Sequence, residues 1–168
     1  MRFISYYKGT DNFPDSIIYY NDSGSRFGEA DIGTLSGTNK MTYKGLQKNI
    51  RKLKTPKIDT WKNQYPDKDY NIHLEFPEFT CICPKTGLPD FATIIIDYTP
   101  DKDCIELKSL KEYFIVYRNL GILHEHVVNK VLEDLVAACQ PRSAKVVGEF
   151  NIRGGIKTTV VAEYTKGG

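Results

Sequence analysis

Residues 110–121, LKEYFIVYRNLG, decide the fold class of this chain, because the spacing of apolar side chains changes there. In this stretch the apolar positions are three or four residues apart, as on one face of an α-helix. They are Leu110, Tyr113, Phe114 and Tyr117. Gly121 is typical of a helix end. A second helix with the same spacing is predicted from His124 to Cys139, and Pro141 ends it.

Three strands are predicted before these helices. In YNIHLEF, residues 70–76, apolar and polar side chains alternate, which is the pattern of a half-buried strand. FATIIIDYT, residues 91–99, is rich in β-branched side chains, and CIELK, residues 104–108, follows a turn. The links between the three strands are short, so antiparallel pairing is expected.

Two further strands are predicted after the helices. They are KVVGEFNI, residues 145–152, and IKTTVVAEY, residues 156–164, and the turn between them contains Gly154 and Gly155. The order of elements is then three strands, two helices and two strands, without alternation of strand and crossover helix. This order predicts an α+β fold in which two helices cover one face of an antiparallel sheet.

Composition and charge exclude some classes of protein. The chain has 168 residues, of which 40% are hydrophobic and 26% charged, and this is typical of a globular protein. No run approaches the ~20 apolar residues of a membrane span, so no membrane partner is expected. The N-terminal MRFISYYKGTDNF has no apolar core of a secretory signal, and the expected location is the cytoplasm. The four cysteines are expected to be thiols there.

The N-terminal third differs from the rest of the chain. Residues 1–50 are rich in Gly, Ser, Asn, Asp and Tyr and are predicted to be a loosely structured extension, with the folded domain at 51–168. Residues 40–57 contain seven Lys or Arg and no acid. This segment is either a nucleic-acid footprint or a solvated basic surface. We favour the surface and expect no direct nucleic-acid partner.

The stretch CICPKTGLPDF, residues 81–91, carries the strongest chemical signal. Cys81-x-Cys83 and His124-x-His126 lack the spacing of a structural zinc site, although a catalytic metal held by one Cys and one or two His stays possible. Cys81, like Cys139, is interpreted as a buried thiol. Cys83 precedes a turn, and Lys85 and Asp90 are near it in sequence. A cation favours the thiolate and a carboxyl group can deliver a proton, so a nucleophile with its acid is one interpretation.

Four motifs together resemble one family. CPKTGLPDF, ELKSLKEYF, GILHEHVVN and RGG, in this order and spacing, resemble the 7-cyano-7-deazaguanine reductases of queuosine biosynthesis, a tRNA modification, in their single-module form. The resemblance runs from about Tyr65 to Ile156. It implies the tunnelling fold of GTP cyclohydrolase I, whose subunits join sheet to sheet into rings. For the single-module form it implies two stacked pentamers, with sites at subunit boundaries.

The resemblance also implies a reaction and its residues. The nitrile of 7-cyano-7-deazaguanine would be reduced to the primary amine of 7-aminomethyl-7-deazaguanine by two NADPH. Cys83 would add to the nitrile as a covalent thioimidate, Asp90 would be the general acid, and His124 would assist proton transfer. Glu125 would hold the guanine-like edge of the substrate, since a carboxylate accepts two parallel N–H bonds. Taken singly, Asp90 is more typical of a turn residue. For Glu125, capping in the first turn of a helix is as good an explanation of the HEH sequence as substrate binding.

No G-x-G-x-x-G fingerprint is present to bind a dinucleotide. Ser109 and Glu112 fit a capping box, which places two lysines at a helix N-terminus, where an anion is favoured. The resemblance assigns NADPH to two motifs, ELKSLK and RGG. The residues concerned are Lys108, Ser109, Lys111, Arg153 and Gly154.

Other functions stay open at this point. A related amidinotransferase of tRNA modification would keep Cys83, Asp90 and Glu125 and would need no NADPH. A metal-dependent cyclohydrolase of the same fold would be distinguished by metal analysis. An RNA-binding module built on residues 40–57 would be distinguished by a tRNA filter-binding test. The intact ELKSLK motif favours the reductase over the amidinotransferase.

Overall fold

The computed structural model describes residue 47, residues 52–167 and the backbone of three short strands nearer the N-terminus. Contacts divide the chain into two units. The first consists of Met1–Thr42 with Lys85–Gly87, and the second of Tyr43–Pro84 with Leu88–Gly168. The predicted boundary between residues 50 and 51 lies outside the described residues, so the division into 1–50 and 51–168 stays a prediction.

The first unit contains a three-stranded antiparallel sheet. Its strands are β1 (Ser5–Lys8), β2 (Ser16–Tyr20) and β3 (Arg26–Asp31), with β2 in the centre. The prediction of loose structure in residues 1–50 is therefore wrong for these three strands. The sequence of β2, SIIYY, is β-branched and aromatic and favours a strand. The surrounding Gly, Asn and Asp residues obscured that preference.

The second unit carries the helices and the larger sheet. Its elements are β4 (Thr60–Lys62), β5 (Ile72–Ile82), β6 (Pro89–Thr99), β7 (Asp103–Ile105), α1 (Leu107–Val116), α2 (His124–Cys139), β8 (Ser143–Arg153) and β9 (Ile156–Thr165), and a 3-10 turn, Tyr117–Asn119, follows α1. An antiparallel sheet has the strand order β5-β6-β8-β9. The bounds of α2 agree with the sequence prediction, and those of the two C-terminal strands agree with it to within two residues.

Both helices lie on the same face of this sheet. Alternate residues of β6 face inward and are buried, and apolar residues of α1 and α2 join them in a single core cluster. Gly148 of β8 is needed for close packing, because a Cβ there would lie 2.6 Å from Val128 Cγ2 on α2. The predicted α+β fold, with two helices on one face of an antiparallel sheet, is confirmed.

The third predicted strand is only partly correct. The strand over 104–108 is limited to β7, which ends at Ile105 and pairs with β4 instead of the main sheet. Its early end has a local cause, since Glu106 is already the N-cap of α1 and its side chain accepts from the backbone N–H groups of Lys108 and Ser109. These backbone hydrogen bonds lower the pKa of Glu106.

The predicted capping box is wrong. Ser109 is the third residue of α1 instead of its cap. Its hydroxyl is buried, donates to the Glu106 carbonyl (2.8 Å) and accepts from the Asp59 N–H (3.0 Å). Glu112 is exposed on the second turn. The Ser109 hydroxyl also contacts Asp59, fifty residues away, and the local pattern does not contain this contact.

A buried polar network joins the two helices. The ammonium of Lys130 pairs with the Asp134 carboxylate one turn later in α2, and both groups are largely shielded from solvent. The other oxygen of Asp134 accepts from the hydroxyls of Tyr113 (2.8 Å) and Thr55 (3.1 Å). Tyr113 in turn lies 2.7 Å from the hydroxyl of Tyr117. Burial raises the pKa of both tyrosines well above the usual range, so these groups act as neutral hydrogen-bonding partners.

Within the described part of the chain, no helix is long and apolar enough to cross a membrane.

Of the basic residues in 40–57, the structure describes Lys52, Lys54 and Lys57, and all three are exposed. The other four lie outside the described residues.

Candidate active site

The hairpin of β5 and β6 brings Cys83 and Asp90 to the same end of the sheet. Cys81 is paired with Asp90 in the ladder, and the N–H of Cys83, one residue beyond β5, donates to the Leu88 carbonyl (2.8 Å). Residues two apart along an extended chain face the same side. Cys83 therefore follows Cys81 on the side of the hairpin that carries Asp90.

Asp90 is the first residue in the inward row of β6. Its side chain is 7% exposed, and both carboxylate oxygens have a partner. Arg153 Nη1 contacts Oδ1, and His124 Nε2 lies 3.3 Å from Oδ2. Asp90 falls in the same alternating row of β6 as the buried Ala92. A charged residue at such an inward position is the sequence signal that distinguishes Asp90 from an ordinary turn residue.

His124 is held by a ring contact as well as by Asp90. Its imidazole stacks on Phe150, with ring centroids 3.7 Å apart and planes inclined by 7°. Phe150 is buried on β8 and pairs with Ala92, the next inward residue after Asp90. The stack fixes the plane of the imidazole beside the carboxylate. Sequence analysis missed Phe150, whose inward position on β8 resembles that of any core residue.

The segment before α2 is bound to the end of β5. The N–H of Ile82 donates to the Leu120 carbonyl (2.9 Å), and the Ile82 carbonyl accepts from the N–H of Ile122 (3.0 Å). These bonds hold the first residue of α2, His124, close to the strand end that leads to Cys83. Glu125 follows it in the first turn and is exposed.

Gln47 also binds the segment before α2. Its Oε1 lies 3.0 Å from His126 Nδ1 and 3.4 Å from the N–H of Leu123, and its Nε2 donates to the Gly121 carbonyl (3.3 Å). His126 is thus directed to Gln47, while His124 is directed to Asp90. Among the described residues, no group of three or more His, Cys, Asp and Glu side chains is placed to hold a metal. Gln47 lies in the basic segment, residues 40–57, where no periodic pattern in the sequence indicated a role for it.

The four thiols differ in their surroundings. None of the four cysteines forms a disulfide bond in the structure, and Cys83 alone among them is only half-buried. Burial raises the pKa of Cys81 to about 12, and the charges of Asp90 and Cys83 add to this effect. Burial raises the pKa of Cys139 to about 12 as well. The interpretation of Cys81 and Cys139 as buried thiols is confirmed, since neither is a thiolate near neutral pH.

The residues assigned to the cofactor are divided between this centre and the other end of the sheet. Lys108 and Lys111 are exposed on the first two turns of α1. The N–H of Ile105, just before α1, donates to the Tyr98 hydroxyl (3.1 Å) at the far end of β6. Tyr98 is eight residues from Asp90 along this strand, which is about 25 Å. In one chain, the two lysines and the Cys83 centre therefore lie at opposite ends of the sheet.

The remaining assigned residues have local contacts of their own. The hydroxyl of Ser109 is occupied by Glu106 and Asp59. Gly154 and Gly155 have φ values of 57° and 81° and form the tight turn between β8 and β9, a conformation that favours glycine. Arg153, directly before this turn, contacts Asp90. The cofactor roles of Ser109, Arg153 and Gly154 stay predictions.

A comparison with solved structures defines the class of the protein. The crystal structure of an archaeosine synthase, described as QueF-like and in its apo form, matches with a TM-score of 0.53 and 27% sequence identity. The match covers 55% of this chain and 91% of the other. The antiparallel sheet with two helices on one face and with Cys83, Asp90 and His124 at one end is thus that of a tunnelling-fold protein.

Sequence comparisons identify the family. A protein-family model described as "QueF-like protein" matches residues 89–168. A protein from Chlorobaculum tepidum named "NADPH-dependent 7-cyano-7-deazaguanine reductase" is 58% identical over 109 residues, 65% of this chain and 93% of the relative. A protein of the same name from Chloroherpeton thalassium is 54% identical over 112 residues, 67% of this chain and 97% of the relative. The chain belongs to the family of NADPH-dependent 7-cyano-7-deazaguanine reductases.

Proposed function

We propose that this protein reduces the nitrile of 7-cyano-7-deazaguanine to the primary amine of 7-aminomethyl-7-deazaguanine with two NADPH, through a covalent thioimidate on Cys83. The observation that supports this most directly is the convergence of Cys83, Asp90 and His124 at one end of the main sheet in a member of this family. A half-buried thiol beside a buried carboxyl group and an imidazole has the parts needed for addition to a nitrile and for proton delivery.

The chemistry divides among these residues. The Cys83 sulfur forms a bond to the nitrile carbon, one C–N π bond breaks, and Asp90 gives the nitrogen its proton. Two hydride equivalents come from NADPH, and with two protons they convert the C≡N group to CH₂NH₂. Once the thioimidate carbon has been reduced, its bond to sulfur breaks and Cys83 leaves as a thiolate. His124, held against Phe150, returns protons to Asp90 through its contact with Oδ2.

Glu125 suits recognition of the substrate ring. It lies next to His124 and is exposed, so its carboxylate is accessible to a ligand at this end of the sheet. The amino-pyrimidinone edge of a deazaguanine has two N–H donors on one side. A carboxylate accepts both and adds the strength of a charged acceptor, as a neutral amide would not.

The two lysines of α1 fit the phosphates of the cofactor. Cations in the first turns of a helix are unfavourable to the helix dipole, so two lysines there are better explained by a phosphate ligand than by helix stability. Exposure of both side chains leaves them available to a ligand.

We expect Lys108→Ala or Lys111→Ala to raise the KM for NADPH by ~10-fold or more, because a charge-assisted contact contributes ~1.5–3 kcal/mol. Initial rates measured against NADPH concentration check this, and formation of the Cys83 adduct without NADPH serves as the internal control. Lys68→Ala, at another exposed lysine, should leave the KM unchanged. An unchanged KM in both α1 variants would show that these lysines are only surface residues.

A second subunit is needed to complete this site. Lys108 and Lys111 are at the opposite end of the sheet from Cys83 in their own chain, so the lysines that meet a cofactor beside Cys83 belong to a neighbour. Among the described strands, β5 and β9 are the edges of the main sheet, and unpaired edges of this kind favour association with further copies. We place the sites at subunit boundaries of a closed ring assembly, in the form of two stacked pentamers.

Static light scattering tests this arrangement. We expect a particle far larger than a dimer of the 19.1 kDa chain, with activity confined to the assembled fraction. Full activity in a monomeric fraction would contradict the shared site.

The direct test of the function is oxidation of NADPH on addition of 7-cyano-7-deazaguanine, with the amine product identified by mass. An amidinotransferase would consume no NADPH. Relatives with the reductase name share 58% and 54% of aligned residues, against 27% for the archaeosine synthase, and this supports the reductase. The four thiols, none of which is in a disulfide bond, suit a reducing compartment, so we place the reaction in the cytoplasm.

A further inference from the structure

The first turn of α2 carries His124 and Glu125, and the position of both depends on how this turn begins. The N-cap is Leu123, whose apolar side chain cannot accept from the N–H groups at the start of a helix. In a capping box, a Glu or Gln at the third helical position accepts from the N–H of the N-cap residue. In α2 the third residue is His126. The local sequence therefore supplies neither half of a capping box.

Gln47 supplies an acceptor from seventy-six residues away. Its Oε1 accepts from the Leu123 N–H (3.4 Å), as the third side chain of a capping box does. Its Nε2 donates to the Gly121 carbonyl (3.3 Å). These two contacts fix the orientation of the amide, because a carbonyl only accepts and an N–H only donates. The same Oε1 lies 3.0 Å from His126 Nδ1, so Nδ1 carries a proton and donates to it.

The two site residues of this turn differ in what else holds them. His124 has side-chain contacts of its own, with Asp90 and Phe150. Glu125 is exposed to solvent. The position of its carboxylate therefore follows the backbone of the turn that Gln47 caps.

Resting on the proposed function, we propose that Gln47 is a positioning residue that holds the first turn of α2 where Glu125 meets the amino-pyrimidinone edge of the substrate. A carboxylate accepts two parallel N–H bonds only when both of its oxygens face the donors, so displacement of the turn weakens substrate binding. Cys83 and Asp90 are placed by the β5–β6 hairpin, so Gln47 affects the affinity for the nitrile more than the rate of the bound complex. A residue from the segment 1–50 thus contributes to substrate recognition.

Adduct formation without NADPH separates affinity from rate. Intact mass follows the reaction over a series of nitrile concentrations, where the half-saturating concentration reports binding and the limiting rate reports the chemistry of Cys83. Glu125→Gln should raise the half-saturating concentration by about 10-fold or more, because the charged acceptor is lost. Gln47→Met removes both polar atoms of the amide with little change in length. We expect a similar increase for it, with the limiting rate nearly unchanged.

The double variant tests whether Gln47 acts through Glu125. Its half-saturating concentration should equal that of Glu125→Gln alone, because residues that act in one contact have non-additive effects. Gln47→Glu keeps an acceptor at the N-terminus of α2 and should stay close to the wild type. Gln64→Met is the matched control and should follow the wild type, since Gln64 is exposed and its Nε2 donates to the carbonyl of Lys62 in β4 (3.2 Å).

Each contrary result bears on a different step, and each would overturn the inference. A lower limiting rate for Gln47→Met with an unchanged half-saturating concentration would show a purely structural role. Effects of the two single changes that multiply in the double variant would show that Gln47 does not act through Glu125. A loss in Gln47→Glu as large as that in Gln47→Met would show that the acceptor has no role.

The proposed function has its own signs of failure. Absence of any adduct in the wild type would contradict it directly. A half-saturating concentration that Glu125→Gln leaves unchanged would contradict the role of Glu125 in substrate recognition, and the inference with it.

Discussion

Cys83→Ala should abolish the covalent adduct that forms when the protein is mixed with 7-cyano-7-deazaguanine in the absence of NADPH. The expected adduct adds the full mass of the nitrile, because addition of a thiol to a C≡N bond expels nothing. Intact-mass spectrometry measures it. The loss should be complete, since the other three cysteines are buried and Cys81 and Cys139 have a pKa of about 12.

Cys81→Ala is the matched control. Cys81 is two residues away and faces Asp90 in the strand pairing, so it tests whether proximity alone is sufficient. This variant should still form the adduct, because a fully buried thiol is not the nucleophile. An adduct on the Cys83→Ala protein would contradict the assignment of the nucleophile.

Asp134→Ala should lower the free energy of unfolding by about 3–5 kcal/mol, because it leaves the buried ammonium of Lys130 without its partner. The same change removes the acceptor of the Tyr113 and Thr55 hydroxyls. A loss of this size shifts the folding equilibrium by more than ~100-fold, and urea unfolding followed by circular dichroism measures it.

The control for this effect is an exposed pair of the same kind. Lys145 and Glu163 lie 3.0 Å apart on the outer face of the main sheet, and both side chains are accessible to solvent. Glu163→Ala should change the free energy of unfolding by no more than about 1 kcal/mol, as is usual for exposed ion pairs. Equal losses in the two variants would show that burial of Lys130 has no energetic consequence.

Local patterns predicted most of the elements in the second unit. The spacing of apolar residues identified α2 with its observed ends, His124 and Cys139, and Gly154 and Gly155 marked the turn between the last two strands. These features depend on neighbours within a few residues, which the sequence contains. Errors arose where a distant contact decided the outcome. Ser109 was mistaken for the cap of α1 because its partner, Asp59, is fifty residues away.

The candidate site shows the same division. The residue types and their motifs predicted Cys83 as the nucleophile and Asp90 as its acid, and these roles stay predictions. The motifs did not reveal that Arg153, sixty-three residues from Asp90, contacts that carboxylate, or that Phe150 and Gln47 hold the histidines of the HEH sequence. Each of these contacts depends on which strands are neighbours in the sheet.

By itself, then, the sequence determined both helices and most strands of the second unit, indicated the family, and predicted the thiol and its acid, because periodicity and motifs are properties of short stretches. The tertiary structure alone decided how far apart these parts lie. ELKSLK and CPKTG are separated by about twenty residues, yet α1 begins at the end of β6 that is farthest from Asp90. An antiparallel strand of eleven residues spans about 36 Å, and this length places the lysines at the opposite end of the chain's own sheet.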